Sequence, residues 1–273
     1  TWIRSFLGSL LFSKNSEIDF KNLLNIPQYP QRFHFNNFVD DKDIDNLNKV
    51  SSYWIKTQQI INLDRKIKFL KTHHIYCNIN GSNFTDYKNS LGVIYIVRDP
   101  RNVISSIKYH YSKENYLEAE KMMTDEYRAL GKKIDRSSKN IDRDMITLIA
   151  SWKTHYNSWK NFEKNKLLIK YEDLINNPYE EFYKIYKYLS KILKLNIDKK
   201  KIDHAINLNT FDNLKSIENR EGFIESIDDK NIGLKKKFFH LGPKNKWENI
   251  LDNQIRLSIE DKFKVEMKEL GYL

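Results

Sequence analysis

The stretch GVIYIVRDPRNVISS, residues 92–106, predicts a buried strand that turns directly into a helix. Val93 to Val97 is apolar and rich in β-branched residues, as in a strand that is covered on both faces. Asp99 suits the N-cap of the following helix, and Pro100 suits its first position, where a missing N–H costs nothing. Arg98 is therefore expected at the carboxyl end of a parallel strand, where open α/β sheets bind ligands.

Ser106 is the second polar residue of interest in this stretch, because it follows the start of the helix by about two turns. A guanidinium and a hydroxyl directed at one crevice suit a phosphate group. Two plainer interpretations stay open. Arg98 could form an ion pair with Asp99 or another carboxylate, and Ser106 could bond only to its own helix backbone.

Strands and helices alternate along the chain, which predicts a parallel sheet with helices on both sides. The 273 residues are enough for one large α/β domain with a substantial core. Strands are predicted over 67–72, 93–97 and 167–171. Helices are predicted over 3–12, 43–61, 100–111, 116–130, 144–162, 179–193, 198–208, 211–217 and 254–270.

Composition narrows the classes of function. The net charge is +11, but the lysines are spread along the whole chain, which argues against a dedicated nucleic-acid surface. A positive field of this kind would still steer an anionic nucleotide into a cleft.

No stretch has the roughly 18 apolar residues that a membrane span needs. Cys77 is the only cysteine, which fits a reducing compartment and predicts a cytoplasmic protein. No residue cluster has metal-ligand spacing, and the oligomeric state stays open.

Lys71, Thr72 and His73 end the strand predicted before residues 93–97. A histidine with a pKa near neutrality could take a proton from an attacking hydroxyl, although an ordinary surface histidine is the plainer interpretation. His74 follows directly. Since adjacent side chains of a strand point to opposite faces, only one of the two rings could face a reacting group.

Taken in order, these motifs resemble those of PAPS-dependent sulfotransferases of the cytosolic type. Residues 92–106 resemble the family's segment that binds the 3′-phosphate, which implies that Arg98 and Ser106 bind this phosphate. Lys71-Thr72-His73 resembles the family's Lys-Thr-His motif. The resemblance implies that His73 is the catalytic base and that Lys71 is a supporting cation for the sulfuryl group. Ser106 then belongs to both the catalytic and the nucleotide-binding set.

Further matches follow along the chain. Tyr171-Glu172-Asp173 resembles a family motif whose tyrosine contacts the nucleotide, with Glu172 and Asp173 expected to brace the next turn. Phe211 resembles an aromatic residue that packs on adenine. The implied nucleotide-binding residues are Thr1, Trp2, Arg98, Ser106, Tyr171, Thr210, Phe211, Phe239, His240, Leu241 and Gly242.

The segment that contains His240, Leu241 and Gly242 departs from the family pattern, which has Arg-Lys-Gly and then a tryptophan. Gly242 and Trp247 keep the spacing, but His240 and Leu241 replace the two basic residues. We expect the loop to offer backbone N–H groups, and Lys244 or Lys246 are candidates to replace the missing charge, although lysine lacks the bidentate fork of arginine.

Thr1 and Trp2 resemble the last residues of the family's loop for the 5′-phosphosulfate, and Trp2 would stack on adenine. The remainder of this loop, with its lysine, would precede residue 1. The resemblance thus implies one sulfotransferase domain over 1–273, with a fold similar to P-loop nucleotide kinases and a phosphosulfate loop that begins upstream.

The expected reaction moves a sulfuryl group from PAPS to a hydroxyl or amine of a small-molecule or glycan acceptor, leaves PAP as product and needs no metal. The acceptor would contact residues 33–38, 78–86 and 113–138.

Three rival functions stay open. A P-loop nucleotide kinase would need a Gly-x-x-x-x-Gly-Lys-Ser/Thr motif before residue 1 and a Mg²⁺ carboxylate, for which Asp99 is the candidate. A non-catalytic nucleotide-binding protein would bind PAP without transferring a group. A nucleic-acid binder would have an affinity that falls steeply with salt.

Overall fold

A computed structural model describes residues 1–13, 20–131, 145–223, 225–226 and 235–273. These residues form two compact units. The first comprises Thr1–Asn25, Ile96–Met123 and Leu168–Leu273, and the second comprises Ile26–Tyr95 and Thr124–Leu167. Residues 132–138 of the expected acceptor segment lie outside the described residues.

Helices dominate both units. In chain order, the elements are α1 (Trp2–Phe12), α2 (Arg32–Phe35), α3 (Leu47–Ser51), α4 (Trp54–Ile61), β1 (Asn78–Ile79), β2 (Ser82–Asn83), β3 (Val93–Val97), α5 (Pro100–His110), α6 (Tyr116–Thr124), β4 (Ala129–Leu130), β5 (Thr147–Leu148), α7 (Trp152–Lys160), β6 (Lys166–Lys170), α8 (Tyr171–Asn176), α9 (Pro178–Leu193), α10 (Lys199–Leu208), α11 (Phe211–Glu221), α12 (Asn253–Lys262) and α13 (Lys264–Glu269). Among the described residues, no helix is both long and apolar enough to cross a membrane.

The strand and helix predicted from residues 92–106 are confirmed as β3 and α5, but the predicted burial of the strand on both faces is wrong, because only Val97 is buried and Ile96 is exposed. The side chain of Asp99 accepts a hydrogen bond from the backbone N–H of Arg101 at 2.8 Å, and Pro100 is the first helical residue. β3 pairs with β6 in a two-stranded sheet. Only Arg98 and Asp99 separate the strand from the helix, so the backbone of Arg98 is fixed by regular structure on both sides.

The second unit is built on an aromatic core. Trp54, Phe84 and Trp159 are buried there, with Trp54 and Phe84 edge to face at 5.3 Å between ring centroids. The strands β1 and β2 form a hairpin whose turn is Asn80-Gly81, both at positive φ. This dipeptide favours the tight turn that matches the strand twist.

The helix predicted over 144–162 is wrong in its first part, because α7 begins only at Trp152. Thr147–Leu148 instead forms β5, which pairs antiparallel with β4, and so the helix predicted over 116–130 is also wrong beyond Thr124. Ala150 has a φ of 57°, which no residue within an α-helix adopts, and Ser151 then caps α7 by accepting a hydrogen bond from the N–H of Thr154.

The strand predicted over 67–72 is reduced to one parallel bridge between Gln28 and Lys71. Its two hydrogen bonds run from the N–H of Tyr29 to the carbonyl of Lys71 and from the N–H of Lys71 to the carbonyl of Pro27. Ile67 and Leu70 are exposed, so the burial that would have held a longer strand is missing.

The first unit has its own apolar contacts. The rings of Phe6 in α1 and Phe182 in α9 pack at 4.3 Å between centroids. Leu23, Leu214, Phe223 and Phe239 form a second buried cluster. The helix predicted over 254–270 is divided into α12 and α13 at Phe263.

Candidate functional site

In the first unit, the structure brings Arg98, Ser106 and Tyr171 together. Nη1 of Arg98 donates to Oγ of Ser106 at 3.2 Å, and the guanidinium carbon lies 4.4 Å from the centroid of the Tyr171 ring. Glu172 Oε1 is 4.0 Å from Nε of Arg98, which is too long for a strong charge-assisted hydrogen bond. Burial lowers the pKa of Arg98, and Tyr171 and Glu172 oppose this effect. The guanidinium stays charged, and its surroundings suit an anion.

Arg101 has a structural role. Its side chain is buried, and it forms ion pairs with Asp99 at 2.7 Å and with Glu260 at 2.8 Å. The carboxylate of Asp99 is thereby committed to Arg101 and to the cap of α5, which makes it a poor ligand for Mg²⁺. Within the described ranges, no group of three or more His, Cys, Asp or Glu side chains is arranged to hold a metal ion.

Glu172 braces the turn between β3 and α5, which lies far from it in the sequence and is not the following turn that the motif predicted. Its Oε1 accepts a hydrogen bond from the N–H of Asp99 at 3.1 Å, and its Oε2 accepts one from the hydroxyl of Tyr272 at 2.9 Å. Burial and the nearby Glu172 raise the pKa of Tyr272, so its hydroxyl keeps its proton. Tyr272 could not be found from the sequence, because no local pattern connects it with a residue that lies far earlier in the chain.

The segment from Gly242 to Trp247 is fixed to the start of α5. Nδ2 of Asn245 donates to the carbonyl of Asn102 at 3.0 Å and to Oγ of Ser106 at 3.2 Å. The N–H of Trp247 donates to Oδ1 of Asn102 at 2.9 Å. The predicted spacing of Gly242 and Trp247 therefore corresponds to a real anchor, although no motif indicated its central residue, Asn245.

Phe211 lies directly against Gly242. A Cβ added at Gly242 would stand 2.2 Å from two atoms of the Phe211 ring, and the φ of Gly242 is +51°, so this position requires glycine. Thr210 caps α11 by accepting a hydrogen bond from the N–H of Asn213 at 3.3 Å. Phe239 is buried and its N–H donates to Glu218 at 2.9 Å, while its contact with the nucleotide stays a prediction.

His240 stacks on Tyr109, with the ring centroids 3.8 Å apart and the planes nearly parallel. Lys215 donates to the carbonyl of His240 at 3.4 Å, and Lys236 donates to the carbonyl of Tyr109 at 2.8 Å. Burial and the two lysines lower the pKa of His240. These two lysines, which no sequence motif indicated, bring positive charge to the loop. The anticipated substitutes Lys244 and Lys246 are exposed, and Leu241 is half-buried.

At the N-terminus, Trp2 lies next to Tyr171. Their ring centroids are 6.1 Å apart in an edge-to-face arrangement, and the indole N–H of Trp2 donates to the carbonyl of Asn209. The hydroxyl of Thr1 donates to Glu225 at 2.9 Å. Trp2 thus joins the cluster around Tyr171, whereas Thr1 contacts a separate carboxylate.

In the second unit, the two adjacent histidines have opposite environments. His73 is exposed, whereas His74 is fully buried and stacks on Phe84 with centroids 4.3 Å apart. Nδ1 of His74 donates to the carbonyl of Ile75 at 2.7 Å, and burial lowers the pKa of His74 to about 4. His74 is therefore a neutral core residue. Lys71 is half-buried, and its backbone is held by the bridge to Gln28.

A third histidine, His155 in α7, contacts the backbone of His73. Its Nε2 lies 3.3 Å from the carbonyl of His73, and its Nδ1 lies 2.9 Å from the hydroxyl of Tyr95. Burial lowers the pKa of His155 to about 4, so the ring is neutral. A carbonyl only accepts, so Nε2 carries the hydrogen and Nδ1 accepts from Tyr95. The sequence feature that could have indicated a role for His155 is its position beside the aromatic residues of α7.

The sequence of the whole chain is similar to one protein family. The family model described as "Sulfotransferase domain" matches residues 1–271. Sulfotransferase 1B1 from the dog, Canis lupus familiaris, is 29% identical over 133 residues, which is 47% of this chain and 39% of that protein. The match therefore spans well under half the length of this curated relative.

Solved structures show the same architecture. Mouse sulfotransferase SULT7A1 complexed with PAP aligns with a TM-score of 0.50 and 18% identity, over 77% of this chain and 70% of that one. Retinol dehydratase, in complex with androsterone and the inactive cofactor PAP, aligns with a TM-score of 0.55 and 15% identity, over 97% of this chain and 77% of that one. These similarities confirm the α/β fold with a parallel sheet flanked by helices. Together with the match over residues 1–271, they lead to one conclusion: the chain belongs to the sulfotransferase domain family.

Proposed function

We propose that this protein transfers a sulfuryl group from PAPS to a hydroxyl or amine of a small-molecule or glycan acceptor and releases PAP. The observation that carries the proposal is the setting of Arg98, held between the Tyr171 ring and the Ser106 hydroxyl at the end of β3. The mouse sulfotransferase and the retinol dehydratase structures described above are both complexes with PAP.

The donor set around Arg98 fits the 3′-phosphate of such a nucleotide. A guanidinium offers several N–H groups in a fixed plane, and the hydroxyl of Ser106 adds a further donor. The Tyr171 ring restricts rotation of the guanidinium, which reduces the entropy lost on binding. We propose that Trp2 and Phe211 contact the adenine, and that Gly242 and its neighbours contribute backbone N–H groups.

We propose His73 as the base of the reaction and Lys71 as a supporting cation. As the new bond between the acceptor oxygen and sulfur forms and the bond between sulfur and the departing PAP oxygen breaks, His73 removes the acceptor proton. Such a base contributes about 10²–10⁴ in rate. The exposure of His73 supports this role, since the burial and lowered pKa of His74 leave it unsuited to proton transfer.

The acceptor is the least constrained part of the proposal. Of the aromatic residues in the expected acceptor segments, Phe35 and Phe84 belong to the core of the second unit, whereas Phe33 is exposed. We propose that exposed rings such as Phe33 contact a small hydroxylated molecule or a sugar ring. We also propose a reducing, cytoplasmic location, which the single cysteine, Cys77, supports.

Calorimetry on the full natural protein tests the nucleotide part of the proposal. PAP and ATP are titrated separately, each with and without Mg²⁺. We expect PAP to bind more tightly than ATP and without need of Mg²⁺, because the extra ribose phosphate meets Arg98 and Ser106. Tighter, Mg²⁺-dependent binding of ATP would overturn the proposal in favour of a nucleotide kinase.

A transfer assay tests the reaction itself. Radiolabelled PAPS is incubated with a panel of phenols, aliphatic alcohols, amines and oligosaccharides, and labelled products are separated. Transfer to at least one class identifies the acceptor. Binding of PAP without transfer to any of these classes would favour a non-catalytic nucleotide-binding protein.

A further inference from the structure

The side chain of Asn245 is buried, with 6% of its surface exposed, and it contacts a residue of the proposed phosphate site. Nδ2 donates to the carbonyl of Asn102 at 3.0 Å and to Oγ of Ser106 at 3.2 Å. The orientation of the amide follows from chemistry, because the carbonyl of Asn102 can only accept and must therefore face the NH₂ group. Ser106 consequently receives an N–H from Asn245.

Ser106 receives a second N–H from Arg98, whose Nη1 lies 3.2 Å from the same oxygen. A serine hydroxyl has two acceptor positions and one hydrogen. With both acceptor positions occupied, Ser106 can take part in any further hydrogen bond only as a donor. The arrangement thus sets the direction of the hydroxyl before any ligand arrives.

The hydrogen of Ser106 is only weakly committed within the protein. Its acceptor is the carbonyl of Asn102 at 3.4 Å, which is long for an O–H···O bond, and this carbonyl already accepts from Asn245. Redirecting the hydrogen towards an anion therefore costs little, because the carbonyl keeps a partner.

We propose that Asn245 is a positioning residue that, together with Arg98, makes the Ser106 hydroxyl a dedicated donor to the 3′-phosphate of the nucleotide. The inference rests on the proposed function and deepens it. It also assigns a role to the segment from Gly242 to Trp247, which has no arginine: the segment acts by orienting Ser106.

A second observation supports a role beyond packing. Oδ1 of Asn245 is buried and has no hydrogen-bond partner among the described residues. An unsatisfied buried carbonyl destabilises the folded state, so an apolar side chain of similar size would serve better if this position only filled space. The unsatisfied oxygen of the amide costs stability, which is consistent with a need for its N–H groups.

Two substitutions separate positioning from packing. Asn245→Leu removes both N–H donors and keeps a side chain of similar size. Asn245→Asp keeps the shape but offers only acceptors, so it would draw the hydrogen of Ser106 to itself and place a negative charge beside the phosphate. We expect PAP affinity to fall about tenfold for Leu and about a hundredfold or more for Asp. Affinity for adenosine 5′-phosphosulfate, which lacks the 3′-phosphate, should change less than about twofold.

Asn249→Leu is the matched control, because Asn249 lies in the same region of the chain but is exposed, and it should leave both affinities unchanged. A double-mutant cycle then tests whether Asn245 acts through Ser106. In the Ser106→Ala background, Asn245→Leu should reduce PAP affinity by less than about twofold. Equal losses for the two nucleotides, or full additivity with Ser106→Ala, would overturn the inference.

The outcomes also distinguish this inference from the proposed function. If the unaltered protein does not prefer PAP to adenosine 5′-phosphosulfate, the proposed function fails. If it has that preference and the Asn245 variants retain it, only the role of Asn245 fails. Should Asn245→Leu not fold, the cycle is run with Asn245→Ser, which removes the amide and leaves a smaller polar side chain.

Discussion

Arg98 and Arg101 lie in the same tetrapeptide, yet their guanidinium groups have different partners. Arg101 is neutralised by the carboxylates of Asp99 and Glu260. Arg98 contacts the Ser106 hydroxyl and the Tyr171 ring, and the carboxylate of Glu172 lies farther away, 4.0 Å from its Nε. The distances to carboxylates therefore distinguish the two arginines: Arg101 forms two close ion pairs that stabilise the fold, and we propose Arg98 as the one that binds an added anion.

Replacing Arg98 should affect one phosphate of the nucleotide. We expect Arg98→Ala to weaken PAP binding by about 30- to 100-fold, because a buried charge-assisted interaction is lost. Binding of adenosine 5′-phosphosulfate should weaken far less, since it has no 3′-phosphate. Calorimetric titration of both ligands measures the difference. Arg101→Ala is the comparison and should lower the melting temperature; equal losses of both ligands in Arg98→Ala would contradict the assignment.

His73 and His74 provide a natural pair for testing the base. His73→Ala should lower the turnover number by about 10²–10⁴ while PAP affinity stays unchanged, because only proton removal is lost. His74→Phe should retain turnover, since its ring lies in the core against Phe84. Steady-state kinetics with saturating PAPS provides the measurement. Loss of turnover in His74→Phe with an intact fold would reverse the two roles.

At the scale of elements, the contact between α11 and the segment after Phe239 depends on the absence of a side chain at Gly242. Gly242 adopts φ +51° and leaves room for Phe211 at the start of α11. The helix start and the loop can approach only because no Cβ stands between them.

Gly242→Ala should therefore destabilise the protein by about 1–3 kcal/mol, through overpacking against Phe211 and backbone strain. Urea denaturation followed by circular dichroism gives the free energy of unfolding. In a Phe211→Ala background the same substitution should cost less, because the clash is removed and only the strain remains. An equal cost in both backgrounds would show that the ring contact is unimportant.

Local signals explain which elements could be predicted. β3 and α5 follow from a β-branched run, an N-cap and Pro100, which all lie within a few residues. The start of α7 could not be predicted in this way, because Thr147–Leu148 pairs with Ala129–Leu130 and the helical periodicity of the segment continues across this strand. A pairing partner that is distant in the chain overrides local periodicity.

The same reasoning applies to the candidate site. Arg98, Ser106 and Tyr171 were found because short motifs contain them, and the structure brings them into contact. Asn245 and Tyr272 were missed, although they contact Ser106 and Glu172, because only the folded chain brings residues so far apart in sequence together. Residues that support a site carry no motif of their own.

At the scale of the whole molecule, buried neutral histidines set the response to acid. Burial lowers the pKa values of His34, His74 and His155 to about 4. In the unfolded chain these groups titrate near pH 6.5, so between these values the unfolded state binds more protons. We therefore expect these three histidines to lower the free energy of unfolding as the pH decreases from about 6.5 towards 4.

His74→Phe tests this dependence, because a phenyl ring can occupy the stacked position against Phe84. Between pH 7 and pH 4.5, the unaltered protein should lose about 2–3 kcal/mol more stability than the variant. Urea denaturation at a series of pH values measures both curves. Carboxylates titrate equally in both proteins, so parallel curves would show that His74 is not responsible.

Arg101 also donates to the carbonyl of Tyr272 at 2.8 Å, and Lys170 donates to that of Leu270 at 3.0 Å. The last turn of the sequence is thus bonded to the residues that follow Arg98 and to the end of β6, whereas Leu273 is exposed. For protein engineering, any truncation that removes Tyr272 would take its hydroxyl away from Glu172 and loosen the turn that carries Arg98.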